Sequence, residues 1–449
     1  MMHITLTRGP IFRNLIRFAL PLMLGNLLQQ LYNVADTLIV GRFVGSRALA
    51  AVGSAYTLMT FLTSVLLGLS MGSGAVFSIR YGEGKSDELK SGVFHSFLLI
   101  AAVTAVMNTA VFLFIDPIMR LLQVPLEVYP LMREYLWIIF AGIAATFFYN
   151  FFASLLRAVG NSLTPLLFLA LSALLNIGLD LLFVAGFHWG VGGAALATVI
   201  SQYASGAGIF LFTLLRFPEL RLQRRHLCFR PSVMKEIANL SFLTCIQQSV
   251  MNFGILMVQG LVNSFGPAVM AAFAAAVKID SFAYLPVQDF GNAFSTYVAQ
   301  NYGAGKKDRV SAGFRCAILT SVVFCLVIST AVFIFARPLM QIFVDPSETE
   351  IAAIGVQYLR IEGSFYCGIG LLFLLYGFYR AVKKPGMSII LTVISLGTRV
   401  LLAYILSAIP ALNVAGIWMA VPIGWFLADL TGFLYYRRCR KMLSGQSSC

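Results

Sequence analysis

Leu174-Leu175-Asn176-Ile177-Gly178-Leu179-Asp180-Leu181-Leu182-Phe183 lies inside an apolar run from Pro165 to Gly186, long enough to cross a bilayer. An amide and a carboxylate interrupt it. Four residues apart on a helix, Asn176 and Asp180 point the same way, one turn above the other. Carrying an Asp into a membrane costs at least about 2.5–3.5 kcal/mol, so such residues are rare there and usually functional. The pair reads either as the ion-coupling part of a transporter or as a polar clasp between two helices.

The rest of the chain supports a membrane setting. Of its 449 residues 59% are hydrophobic and 11% charged, with mean hydropathy +0.85. No soluble core needs so much apolar sequence, so the expected fold is an all-α polytopic membrane protein. The net charge of +14 raises nucleic acid as a partner, but the basic residues sit in short loops between spans. That is the distribution of the positive-inside rule, so no nucleic-acid partner is expected. Residues 1–17 are short and basic with no small-residue cleavage site after the first apolar run, which reads as a retained first helix.

Apolar runs broken by Gly, Pro and charges predict about twelve spans. They fall near 12–41, 48–79, 90–115, 131–156, 164–186 and 191–215, then 234–265, 268–301, 311–336, 352–380, 386–409 and 413–436. Pro21 predicts a kink in the first, because it removes a helix hydrogen bond and clashes with the preceding turn. With both termini in the cytoplasm, inner segments hold 24 of the 32 Lys and Arg residues and outer loops hold six. The expected location is the cell membrane, with both ends inside.

Residues 216–235 (RFPELRLQRRHLCFRPSVMK) form the longest polar connection and divide the chain into halves, residues 1–217 and 234–449 around a basic cytoplasmic linker at 218–233. A repeat supports that division. A shift of 221 lays Arg80-Tyr81-Gly82-Glu83-Gly84-Lys85 on Asn301-Tyr302-Gly303-Ala304-Gly305-Lys306. It also lays Gly45 on Gly266, Pro117 on Pro338 and Pro125 on Pro346, while a shift of 223 lays Arg157-Ala158-Val159 on Arg380-Ala381-Val382. Each copy holds six spans, so both start inside. The copies are parallel repeats about an axis along the membrane normal, predicting two pseudo-symmetric six-helix bundles around a central cavity.

With these features the sequence resembles the multidrug and toxic compound extrusion (MATE) family over essentially its whole length. The marks are Pro21, Gln29 and Asp36 in the first helix, Asn176 and Asp180 in the fifth, and Thr198 in the sixth. The resemblance implies export of amphipathic, often cationic small molecules in exchange for H+ or Na+, by alternating outward- and inward-open states. It implies no cofactor beyond that coupling ion. Some family members carry a Glu in the seventh helix for cation binding, where this chain has Gln247-Gln248.

Depth can be argued from the residues alone. Asp36 lies five residues before Gly41, Asp180 six before Gly186 and Thr198 six to eight after Gly190–Gly192, each at an outer helix end. At about 1.5 Å per residue all three lie roughly 7–12 Å from the outer boundary, with Asn176 one turn deeper. Carboxylates out of water, side by side, favour taking up a proton, and the same oxygens suit Na+. Gln29, Asn33 and Asp36 form a polar stripe suited to lining a cavity, and Asn150 is a candidate for substrate contact or a helix–helix bond.

The repeat-related positions of Asp36, Asp180 and Thr198 are Met257, Ala403 and Val421, and that of Asn176 is Arg399. The acidic site is thus confined to the first half. The second half has its own intramembrane charges, Lys278, Asp280, Asp289, Arg399 and Asp429. They read as a structural ion-pair network, or as a second coupling or substrate site.

Other features carry little. The seven cysteines give no disulfide framework, and His3, His95, His188 and His226 are scattered. The YGxGK stretches lack the spacing of a phosphate loop. No nucleophile–His–Asp set or metal cluster beyond a possible Na+ site is apparent, so an enzyme is not expected. The remaining alternative is a flippase for a lipid-linked precursor, whose pyrophosphate calls for more cavity cations than Lys278 and Arg399. A monomer in the lipid bilayer is the expected state.

Overall fold

Lipid offers the backbone no hydrogen-bond partners, so apolar segments of this length must satisfy their own amides as helices. The computed structural model describes residues 4–121, 124 and 126–443, and among them every regular element is helical. His3, Pro125 and Cys449 lie outside the described residues. In chain order the α-helices are α1 (Ile11–Phe43), α2 (Ser46–Gly82), α3 (Ser86–Leu113), α4 (Ile115–Leu121), α5 (Tyr129–Ile139), α6 (Ile143–Ala158), α7 (Leu163–Asp180) and α8 (Gly190–Arg216). Then follow α9 (Pro231–Asn263), α10 (Pro267–Gly303), α11 (Lys307–Met340), α12 (Thr349–Gly363), α13 (Tyr366–Ala381), α14 (Pro385–Ser407) and α15 (Val414–Leu443).

Among the described residues, eleven helical segments are long and apolar enough to cross a membrane, α5 and α6 counting as one through the 3-10 turn Phe140–Gly142. A twelfth comes from α12 and α13, bent by 51°. The sequence predicted a single span here, 352–380. The break follows Gly363, and the Ser364 hydroxyl donates back to the Arg360 carbonyl at 2.5 Å, a local bond that competes with the helix ladder. Pro21 is buried inside a continuous α1.

The chain forms two compact units. One holds Leu24–Cys245 with Ile4, and the other holds Thr5–Met23 with the chain from Ile246 onward. Repeat-related helices match in length: α1 and α9 have 33 residues each, α2 and α10 have 37 each. The turns repeat as well. Gly45 and Gly266, directly before α2 and α10, have φ of 109° and 95°, and Gly84 and Gly305 have 71° and 69°. Where the first half uses Gly160 and Gly190, the second bends the same way at Lys383 (φ 59°) and Asn413 (φ 45°). This backbone conformation normally favours glycine, so its recurrence at equivalent sites shows that the repeat is structural.

In the first unit α2 packs tightly on α9. A Cβ added at Gly72 would lie 2.5 Å from Ser241 Cα, and one at Gly68 2.6 Å from Cys245 Cα. Two small residues one turn apart let the backbones meet, the usual way membrane helices gain contact. The Ser73 and Ser241 hydroxyls hydrogen-bond at 3.0 Å, and Arg80 joins Glu236 at 2.8 Å at the end of the same seam.

Candidate functional site

The first unit brings four polar side chains from three helices to one place. Asn176 and Asp180 project from the last turns of α7, Asp36 from the final third of α1 and Thr198 from α8. Asp180 is fully buried, Asn176 and Thr198 are buried and Asp36 is half-buried. The Asp36 and Asp180 carboxyls lie within hydrogen-bonding reach of each other. With its amide turned so that each end meets a complementary group, Asn176 donates to Asp180 Oδ2 at 3.3 Å and accepts from Thr198 Oγ1 at 3.2 Å. Asn176 thus bridges Asp180 and Thr198, and Asp36 extends the row beside Asp180. Asp36 Oδ1 and Asp180 Oδ1 are buried without a hydrogen-bond partner, which leaves acceptor capacity for a proton or a small hard cation.

The backbone holds this row by a local irregularity. Directly after Asp180, residues Leu181–Gly186 widen into one turn of π-helix. Such turns occur often at functional sites. A stack of Phe183 and Trp189, centroids 4.9 Å apart, closes the turn onto the start of α8. Gly193 packs tightly beside it: a Cβ there would lie 3.0 Å from Trp189 and 3.2 Å from Phe183.

Two tyrosines not singled out from the sequence share the surroundings of the carboxyls, Tyr32 on α1 and Tyr135 on α5. Tyr32 stands one turn before Asp36, so extending the polar stripe of α1 would have found it. Tyr135 follows Arg133-Glu134 and shares the buried face of α5 with Met132, Leu136 and Ile139, so its spacing reads as core packing. Of the candidate cavity residues, Gln29 is exposed and Asn33 is half-buried. Asn150 is half-buried and donates to Thr146 O at 2.9 Å in its own helix.

In the second unit the five intramembrane charges part company. Asp280 on α10 and Arg399 on α14 lie close together, joined by Glu362 and Tyr358 on α12 and Tyr366 on α13. Tyr358 packs edge-on against Trp418, which stacks on Phe273. Glu362 was not singled out from the sequence, although it lies within the predicted span 352–380. Lys278 is exposed and lines a cleft of about 360 Å³ with Asp345 and Glu348. Asp289 and Asp429 are buried, Asp429 beside Tyr376.

Comparison with known proteins agrees with this architecture. The sequence matches the MatE family over residues 21–182 and 241–405. It is 31% identical to the probable multidrug resistance protein YpnP of Bacillus subtilis, covering 96% of each chain. It is 28% identical to the probable multidrug resistance protein NorM of Thermotoga maritima, covering 91% of this chain and 88% of that one. A solved MOP superfamily transporter from Pyrococcus furiosus, described as having a binding pocket of reverse polarity, has the same fold, with TM-score 0.93 at 24% identity over 99% of each chain. Matched in both of its halves and over nearly the full length of these relatives, the chain belongs to the MatE family of multi-pass membrane transporters.

Proposed function

We propose that this protein exports amphipathic or cationic small molecules in exchange for H+ or Na+, and that the ion acts at Asp36 and Asp180. The observation that carries this reading is the carboxyl pair. Two carboxyl groups hydrogen-bond only while one holds a proton, because two carboxylates offer acceptors alone. Loss of that proton leaves like charges facing each other. At about 4 Å and an effective dielectric near 20 they repel by about 4 kcal/mol. Either the outer part of α1 moves away from α7 or a cation enters. Asn176 and Thr198 serve both states, since an amide can donate to the charged carboxylate and a hydroxyl can donate or accept.

Alternation between outward- and inward-open states then follows from ion occupancy. One charge crossing 100 mV supplies about 2.3 kcal/mol, so a single coupled ion supports a useful substrate gradient. Export from the cytoplasm, a cell-membrane location with both termini inside, and a monomeric working unit built from residues 1–217 and 234–449 belong to the same reading. The multidrug resistance relatives support the substrate class. Measuring efflux from proteoliposomes with proton and sodium gradients imposed separately tests the proposal. Transport indifferent to both gradients would refute it.

A further inference from the structure

The connection between α8 and α9 is more ordered than a spacer needs to be. Phe217 and Leu220 are buried, and two short 3-10 turns, Pro218–Leu220 and Arg224–His226, shape the chain between them. Two histidines fasten it to α3. His95, fully buried, accepts the backbone N–H of Arg230 on Nε2 at 2.7 Å, and its Nδ1 faces the Ser91 carbonyl at 2.7 Å. His226, buried, accepts the Gln223 N–H on Nδ1 at 3.0 Å, and its Nε2 faces Asp87 Oδ1 at 3.0 Å. Each ring accepts on one nitrogen and donates on the other, so each stands as a defined neutral tautomer.

The fastening sorts the linker's side chains. Phe217, Leu220 and His226 point in, while Arg221, Arg224, Arg225 and Arg230 are exposed, as are Leu222 (40%), Leu227 (48%) and Phe229 (55%). Arg225 is partly engaged by Asp87 at 3.0 Å. Glu219 is the single acid in residues 216–235, against six Arg and Lys. A solvated loop would be expected to carry the cations without the three outward apolar side chains. Both ends of the linker run directly into membrane spans, so this face lies at the bilayer interface.

We propose that residues 216–235 form an adhesion surface for the headgroups of anionic phospholipids. The arginines engage the phosphates, and Leu222, Leu227 and Phe229 enter the interfacial layer beside them. Cations next to apolar side chains suit an anionic bilayer surface better than a soluble polyanion, which offers nothing to the apolar residues.

The test is amide hydrogen exchange, read by mass spectrometry, on the full-length protein in nanodiscs of phosphatidylcholine alone or doped with phosphatidylglycerol. Phosphatidylglycerol is expected to slow exchange across 219–230 several-fold, and high salt is expected to reverse the effect. The R221Q/R224Q/R230Q variant keeps the phosphatidylcholine exchange pattern but loses the anionic-lipid response, with affinity for the anionic surface down on the order of 100-fold. The L222S/F229S variant shows a weaker response. Exchange rates that are equal in both lipids overturn the proposal. So does protection that persists in the triple arginine variant.

Discussion

Asp36 on α1 and Asp180 on α7 come from distant parts of the chain and place their carboxyl groups within hydrogen-bonding reach. Among the described residues, each carboxyl is acted on by the other, and Tyr32 and Tyr135 stand near both. An ion-paired acid is held in one state by its partner. In the proposed reading, a proton or an external cation balances this pair.

Asn176 ties Asp180 to Thr198, so its loss should disturb the pair without touching a carboxylate. Asn176→Leu keeps the bulk and removes the amide, leaving Asp180 Oδ2 and Thr198 Oγ1 without this partner. Thr198 Oγ1 still reaches the Ala194 carbonyl at 3.1 Å, whereas an unmet buried group such as Asp180 Oδ2 costs about 1–3 kcal/mol. We expect ion-driven efflux to fall at least 10-fold while the protein still inserts and binds substrate. A variant with wild-type ion-driven rates would show the amide to be incidental.

The α2–α9 seam predicts a failure of folding rather than of transport. Gly72→Val would drive side-chain atoms into the Ser241 backbone, only 2.5 Å from an ideal Cβ. Overpacking costs about 1–3 kcal/mol where the neighbour can yield, and backbone yields least. Gly53 has open space at its Cβ, so Gly53→Ala serves as the control. The expected result is a lowered melting temperature and poor recovery in detergent for Gly72→Val, and neither effect for Gly53→Ala.

Asp116 on α4 predicts a pH effect away from the membrane core. Its Oδ1 accepts from Arg133 Nε at 2.9 Å and from Tyr129 OH at 2.8 Å, and these hydrogen bonds, with the Arg133 charge, hold the carboxyl below its ordinary range. A depressed folded-state value gives stabilisation that is fully present above the unfolded carboxylate pKa of about 4 and is lost as pH falls through the folded value. The melting-temperature difference between wild type and Asp116→Asn should therefore be constant from about pH 7 to about pH 5 and shrink at lower pH. A difference that grows on acidification would reverse the assignment.

Much of the architecture was legible because membrane helices leave coarse signals. Apolar runs set the spans, and the recurrence of Gly45, Gly84 and their partners set the repeat. The grouping of Asp36, Asn176, Asp180 and Thr198 was legible through depth, since distance along a helix becomes height in the bilayer. Lateral position has no such ruler. Tyr135 therefore went unnoticed, and Lys278, which lines a cleft with Asp345 and Glu348, was placed at one depth with Asp280 and Arg399. Glu362 was missed although it lies inside the predicted span 352–380, where an acid is itself a signal.

Proton flux and drug flux measured together in proteoliposomes holding wild type, Asp36→Asn or Asp180→Asn test the central claim most directly. The coupled-pair account predicts that both variants fold and bind a cationic dye, yet a pH or sodium gradient no longer drives its efflux. Undiminished gradient-driven transport by both variants would contradict it.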